Sequence, residues 1–143
     1  MFTITITPRF GEADGLGHIN NTHFSEWFEL ARNPLFKIFS PEMSTAGGEF
    51  PLILAYADYN FLKEVHFPKE VEIRSFISRI GTKSFTSYHE AWQDGNLCVS
   101  GSAVAVYFDF IKHISMPIPD DIKKILTQHL KPEGSTQSAY PSR

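Results

Sequence analysis

Apolar and polar residues alternate strictly at the start of the chain. Phe2, Ile4 and Ile6 are separated by threonines, ending at Thr7. A period of two predicts a β-strand with one buried face. Pro8 follows and cannot donate to a sheet, so the strand is expected to end there.

Residues 21–39 follow a helical period instead. Apolar side chains fall on one face of a helix, at Trp27, Phe28, Ala31, Leu35 and Ile38 among others. Asn20, Asn21 or Thr22 is expected to cap this helix. Pro34 breaks the hydrogen-bond pattern, which predicts a kink or a break near Asn33.

Strand-like segments dominate the rest of the chain. Residues 50–65 and 85–92 are predicted strands, although the Leu52–Ala55 run is also compatible with a helix. A strand beginning at Val71 changes its apolar phase at Phe76, which predicts a bulge.

The strongest local signal is Asp94-Gly95, which favours a type I′ hairpin turn between two strands. Residues 97–110 then return as a strand that is apolar on both faces. A short amphipathic helix is predicted around 122–130, with Asp120 or Asp121 at its positive end.

This order predicts an α+β fold, in which one curved antiparallel sheet wraps around one long helix. Residues 1–131 are expected to form a single domain, and 132–143 a polar C-terminal tail. Because a small sheet leaves an edge to protect, we expect a symmetric homodimer.

Composition excludes several classes of protein. A net charge of −3 argues against nucleic-acid binding. No apolar run approaches the ~18 residues of a membrane span, and no signal peptide is evident at the start. The lone Cys98 cannot form an internal disulfide and is expected to be a buried, inert thiol. These features predict a cytoplasmic protein.

Candidate chemistry is concentrated in the segment from Arg9 to Asn21, between the first strand and the long helix. The start of a helix presents free N–H groups that polarise or bind negative oxygen. Asp14 is expected to be ionised at neutral pH and is a candidate base or nucleophile. The alternative is a loop aspartate that hydrogen-bonds its own backbone.

The same segment carries a family resemblance. Its motif reads Arg9-x-x-Glu12-x-Asp14-x-x-Gly17-His18-x-Asn20-Asn21. It resembles the signature of the hot-dog-fold acyl-CoA thioesterases, the hydroxybenzoyl-CoA thioesterase superfamily. The likeness extends from Phe2 to Pro119 and includes Glu29 and Arg32 in the helix, Asp58-Tyr59, and the run from Arg79 to Ser84.

The resemblance implies the hot-dog fold and hydrolysis of an acyl-CoA or acyl-carrier thioester without a cofactor. It places Asp14 at the family's catalytic carboxylate and the site at a dimer interface, with some members pairing dimers into tetramers. Two rivals remain open. One is a hot-dog hydratase or dehydratase, although the chain lacks the Asp-x-Asn-Pro-x-His order of the relatives concerned. The other is a non-catalytic acyl-CoA-binding module.

Further site residues are proposed around Asp14, each with an ordinary alternative. His18 is a candidate to orient Asp14, donate a proton or bind substrate, or is an ordinary packed histidine. Asn20 and Asn21 either cap the helix or donate to the thioester carbonyl. The backbone N–H groups from Gly17 to Asn21 are candidates to stabilise an oxyanion. Glu12 is expected to pair with Arg9 or to lie on the surface.

Two more groups are candidates for substrate binding. The turn Gly81-Thr82-Lys83-Ser84 has two hydroxyls and a cation for the phosphates or pantetheine of CoA, or is a plain turn. Tyr59 lines an acyl groove or belongs to the core. No metal is expected: Glu12, Asp14, His18 and His23 are metal-ligand types, but their spacing matches no zinc pattern.

Overall fold

The structure is a computed structural model that describes residues 1–44, 46 and 50–132. Most of the predicted polar tail therefore lies outside the described residues. The elements are β1 (Phe2–Ile6), a 3₁₀ turn (Phe10–Glu12), α1 (His23–Phe39), β2 (Leu52–Phe61), β3 (Val71–Ile80), β4 (Ser84–Gln93), β5 (Asn96–Asp109), β6 (Ile114–Ser115) and α2 (Asp120–Thr127).

The long strands form one antiparallel sheet in the order β1-β3-β4-β5-β2, and the two-residue β6 pairs with the end of β5. The sheet curves around α1, so the predicted α+β hot-dog fold is confirmed. β2 pairs with β5 rather than with β3, its neighbour along the chain. Local periodicity predicts strands but not which strands become neighbours, and the sequence analysis did not anticipate this crossover.

The local turn chemistry is confirmed. Asp94 and Gly95 have φ angles of 51° and 74°, and a type I′ turn requires positive φ at both central residues. The predicted bulge in β3 is also present: the pairing with β4 shifts between Ile77 and Arg79, just beyond Phe76.

One face of α1 forms the centre of the core, as its periodicity predicts. Phe24, Trp27, Phe28 and Leu35 are all buried against the inner face of the sheet. The helix continues through Pro34, so the predicted break is wrong. A proline removes one N–H donor, and the buried residues on either side hold the helix against the sheet.

A glycine in β5 allows α1 to approach the sheet closely. A Cβ atom at Gly101 would collide with the carbonyl oxygen of Asp58 and would lie 3.1 Å from the ring of Phe28. Glycine is therefore required where helix and sheet meet. In the described part of the chain, neither helix combines the length and apolar character needed to cross a bilayer.

Candidate active site

The segment between β1 and α1 folds back on itself to form a tight loop. The N–H of Asp14 donates to the carbonyl of His18 at 2.9 Å, and Ala13 bridges to Ile19. Gly17 has a φ of 78°, a backbone conformation that favours glycine. The loop thus leaves the Asp14 side chain exposed at the surface.

The Asp14 carboxylate is held by its own loop. Its Oδ1 accepts hydrogen bonds from the N–H of Leu16 at 2.8 Å and of His18 at 3.1 Å. These two bonds lower the pKa of Asp14, because they stabilise the ionised form. Asp14 is thus a loop aspartate that hydrogen-bonds its own backbone, which was the alternative to a catalytic role. These bonds leave an ionised, exposed side chain whose Oδ2 lies outside both of them.

The His18 side chain is directed toward the segment that follows β2. Its Nδ1 lies 3.5 Å from an Oε of Glu64, and its ring packs edge-on against His66 with centroids 4.8 Å apart. Glu64 and His66 were not predicted from the sequence, since only the tertiary fold brings them beside His18. The contact of His18 with Asp14 runs through its backbone N–H.

The N–H groups from Gly17 to Asn21 are not equally available. The Gly17 N–H donates to the carbonyl of Asp14, and the His18 N–H donates to Asp14 Oδ1. The Ile19 N–H donates to the carbonyl of Val65, and the Asn20 N–H donates to the carbonyl of Glu12. An N–H that already has an acceptor is a poor oxyanion donor, so the prediction is wrong for these four in this conformation. Across the described ranges, the Asn21 N–H has no acceptor.

The two asparagines have different roles. Asn20 Oδ1 accepts from both the N–H and the hydroxyl of Thr22, each at 3.0 Å. Asn20 thus closes a turn just before α1, whereas the N-cap of the helix is Thr22, whose side chain makes no capping bond. Asn21 makes no such bond within the described chain, and it lines a cleft.

That cleft has a volume of about 230 Å³ and lies between the start of α1 and the end of β2. Phe24, Phe61 and Val99 provide apolar walls, and Lys63 and Glu64 are among its polar lining residues. Asn21, whose N–H has no acceptor in the described chain, therefore lies in the wall of a cleft that has both polar and apolar lining residues.

Glu12 pairs with Arg9 at 3.3 Å, as predicted, but it is buried rather than exposed. Its carboxylate accepts the indole N–H of Trp27 at 2.8 Å. Burial alone would raise the pKa of Glu12, but hydrogen bonds from Arg9 and Trp27 outweigh it and lower the pKa. Glu12 thus anchors the loop to α1.

The turn Gly81–Ser84 lies far from Asp14 within one chain. It begins β4, whereas Gln93, at the other end of β4, bonds the backbone of His66 beside the site. Ten residues of β4 at ~3.3 Å each separate these ends by about 30 Å. The carbonyls of Thr82 and Lys83 are also bonded to Ile118 and Tyr107.

Tyr59 is half-buried in β2 and stacks on Phe28, with ring centroids 5.8 Å apart. It also interacts with buried Arg32, whose pKa is lowered by its burial. These contacts favour the core alternative for Tyr59. Cys98 is buried as predicted, and burial raises the pKa of its thiol.

Comparisons with known proteins agree with this architecture. Residues 8–126 match the family model described as the thioesterase-like superfamily. The chain therefore belongs to the thioesterase-like superfamily. No curated protein matches it significantly.

Solved structures give the same picture. A predicted thioesterase from Bacillus stearothermophilus is 38% identical, with 93% of this chain and 98% of that chain covered and a TM-score of 0.87. A thioesterase from Thermus thermophilus, complexed with coenzyme A and Zn, is 25% identical, with 87% and 95% covered and a TM-score of 0.75. A thioesterase superfamily structure from Jannaschia sp. CCS1 is 28% identical, with 90% and 82% covered and a TM-score of 0.76.

Proposed function

We propose that the protein hydrolyses the thioester of an acyl-CoA to the free acid and CoA. The observation that carries this proposal is that one loop contains both an ionised Asp14, with one oxygen outside its backbone hydrogen bonds, and Asn21, which lines the cleft and whose N–H has no acceptor in the described chain. Hydrolysis of an activated ester needs a base or nucleophile and an oxyanion donor.

In the proposed reaction, Asp14 either removes a proton from water as it attacks the carbonyl carbon or attacks that carbon itself. The second route forms a mixed anhydride, which water then hydrolyses. In both routes the C–S bond breaks and CoA leaves as the thiolate, which takes up a proton. The Asn21 N–H is the proposed donor to the carbonyl oxygen as negative charge develops there.

A second subunit is proposed to complete the site, since Asp14 is exposed in a single chain. β2 is the outermost long strand on its side of the sheet and exposes Ile53, Leu54 and Tyr56. An apolar sheet edge of this kind favours pairing with another strand. A homodimer formed along β2 would bring the partner beside Phe61 and the cleft. Pairing of two dimers into a tetramer is a further expectation from the family.

The choice of a CoA thioester rests on two points. The Thermus thermophilus thioesterase was solved with coenzyme A bound, and it is similar over most of this chain. The apolar walls of the cleft suit an acyl group. If the turn Gly81–Ser84 contacts CoA, its distance from Asp14 implies that the partner subunit supplies it.

Thiol release from a panel of acyl-CoAs tests the proposal. Asp14→Asn should lower kcat at least 100-fold, corresponding to about 2.7 kcal/mol or more in the barrier, while the protein stays folded. Asp109→Asn is a matched control, because Asp109 also accepts two backbone N–H bonds, from Ile111 and Lys112, and these bonds likewise lower its pKa.

Unchanged turnover in Asp14→Asn would remove Asp14 from the mechanism. Saturable acyl-CoA binding without thiol release from the wild-type chain would indicate a binding module instead. Water addition to an enoyl-CoA, followed by absorbance, would indicate a hydratase.

A further inference from the structure

Three potential metal ligands meet behind the Asp14 loop, where the loop contacts the first turn of α1. They are Glu12, His23 and Glu26, whose ligand atoms all lie within 4.8 Å of one another. The Nδ1 atom of His23 lies 3.9 Å from Glu12 Oε2 and 3.9 Å from Glu26 Oε1. His23 and Glu26 are three residues apart on α1, so they share one helix face.

The His23 ring contains the least expected feature of this cluster. Its Nδ1 atom is inaccessible to solvent and has no hydrogen-bond partner among the described residues. Buried polar atoms in folded proteins nearly always have a partner. This nitrogen faces two carboxylates, and a ring nitrogen in that position is suited to a cation that both carboxylates also bind.

Glu12 supplies a preorganised carboxylate. Its side chain is 4% exposed, and the Trp27 indole and the Arg9 N–H hold its two oxygens. Glu26, by contrast, has a side chain that is 61% exposed, so an ion has a route from solvent. The three ligands are thus a buried carboxylate held by hydrogen bonds, the His23 ring and an exposed carboxylate, and they surround a single point.

We propose that Glu12, His23 and Glu26 bind a divalent transition-metal ion such as Zn²⁺. Two carboxylate oxygens and one imidazole nitrogen form a common donor set for zinc, with water in the remaining position. Neighbouring ligands on tetrahedral zinc are roughly 3.4 Å apart, given bond lengths near 2.0–2.1 Å. His23 lies 3.9 Å from each carboxylate and all three ligand atoms lie within 4.8 Å of one another, so binding requires Glu26, the exposed ligand, to move inward.

Arg9 competes with the ion in this arrangement. Its guanidinium lies 3.3 Å from Glu12 Oε2 and 3.9 Å from Glu26 Oε2, so it already balances part of the negative charge. The Arg9 side chain is 74% exposed, but the Glu12 side chain that it pairs with is only 4% exposed, so solvent screens this ion pair only in part. The metal must therefore displace the Arg9 guanidinium from both carboxylates.

The proposed metal has a structural role and does not touch Asp14. Glu12 belongs to the loop that positions Asp14, two residues further on, and His23 and Glu26 belong to α1. A metal between them ties the loop to the helix and stabilises the folded chain by mass action.

Calorimetric titration of the full, chelator-treated chain with Zn²⁺ tests this site. We expect one ion per chain with a dissociation constant below about 10 μM, and a rise in Tm upon binding. Glu26→Gln and His23→Gln should each weaken binding at least 10-fold. Glu26 is exposed, so its substitution should leave the fold intact.

Two other variants sharpen the test. Arg9→Gln should tighten Zn²⁺ binding, because it removes the competing cation; weaker binding would contradict a site between these two carboxylates. Glu29 is an exposed glutamate about one helical turn beyond Glu26 on α1. The Glu29→Gln variant should bind Zn²⁺ as the wild type does. Absence of saturable binding below 1 mM would overturn the proposal. Zn²⁺ affinity that is unchanged in both His23→Gln and Glu26→Gln would also overturn it. Loss of affinity in His18→Gln would overturn it as well, because the ion would then lie beside Glu64 and His66.

Discussion

Two polar regions of this molecule differ in how completely their titratable side chains are hydrogen-bonded. One is the loop from Arg9 to Asn21, where Asp14 is exposed and ionised with an oxygen to spare. The other lies under α1, where His89 is completely buried between Ser75 and Ser87 at 2.7 and 3.0 Å. Both ring nitrogens of His89 have partners. The two titratable groups therefore differ in hydrogen bonding: both ring nitrogens of His89 are paired inside the fold, whereas Asp14, the proposed catalytic group, has an oxygen outside its backbone bonds.

The electrostatics of the two regions are also opposite. Backbone N–H groups favour the charged form of Asp14 and lower its pKa. Burial, with a smaller effect from nearby Arg32, lowers the pKa of His89 to about 3, so this ring is neutral. A neutral, fully bonded imidazole stacked on Phe28 is a structural element of the core.

The largest expected effect is a loss of stability when His89, in the buried region, is substituted. His89→Asn should cost about 2–4 kcal/mol of unfolding free energy, because it leaves a cavity and removes the ring nitrogen that pairs with the Ser75 hydroxyl, whereas Ser87 keeps its bond to the Ala103 carbonyl. His113→Asn is the control: His113 is exposed, and asparagine tolerates its φ of 55°. Urea denaturation measures both variants. A loss below about 0.5 kcal/mol in His89→Asn would contradict a supporting role for this ring.

A second prediction concerns acid. The unfolded chain protonates His89 near its ordinary pKa of about 6.5, whereas the folded chain resists protonation down to about pH 3. The stability from the neutral ring is therefore fully present above about pH 6.5 and is lost as the pH falls toward 3. The maximal slope from one group is about 1.4 kcal/mol per pH unit.

Urea denaturation between pH 7 and pH 4 tests this dependence, with His89→Phe as the comparison. The variant should show a flatter profile than the wild type, because it lacks the titrating ring. Equal slopes for the two chains would show that other groups cause the acid sensitivity. The exposed Asp14 should not contribute to the difference, since both chains contain it.

The smallest effect distinguishes two adjacent residues within the loop. Asn20→Ala should cost about 1 kcal/mol, because Asn20 Oδ1 accepts from the N–H and hydroxyl of Thr22 before α1. Asn21→Ala should change stability by less, since Asn21 has no side-chain hydrogen bond in the described chain. Thermal denaturation of the two variants measures this difference. A reversal of their order would contradict these assignments.

Much of the local structure was predictable from particular residues. The threonine alternation of β1, the apolar face of α1 and the Asp94-Gly95 turn are short-range patterns, and each forms the element it predicts. The candidate carboxylate was predictable as well, since Asp14 stands in a motif between a strand and a helix. The burial of Glu12 was not, because its partner Trp27 is fifteen residues away.

The sequence by itself determined the strands, the long helix and the loop of candidate residues, because backbone preference and side-chain period act over a few neighbouring positions. Tertiary structure alone decided that β2 lies beside β5, that Glu64 and His66 reach His18, and that the Asn21 N–H has no acceptor within the described chain. It also separated the Gly81–Ser84 turn from Asp14 by the length of β4. Such outcomes depend on which distant surfaces pack together, and no local pattern records that choice.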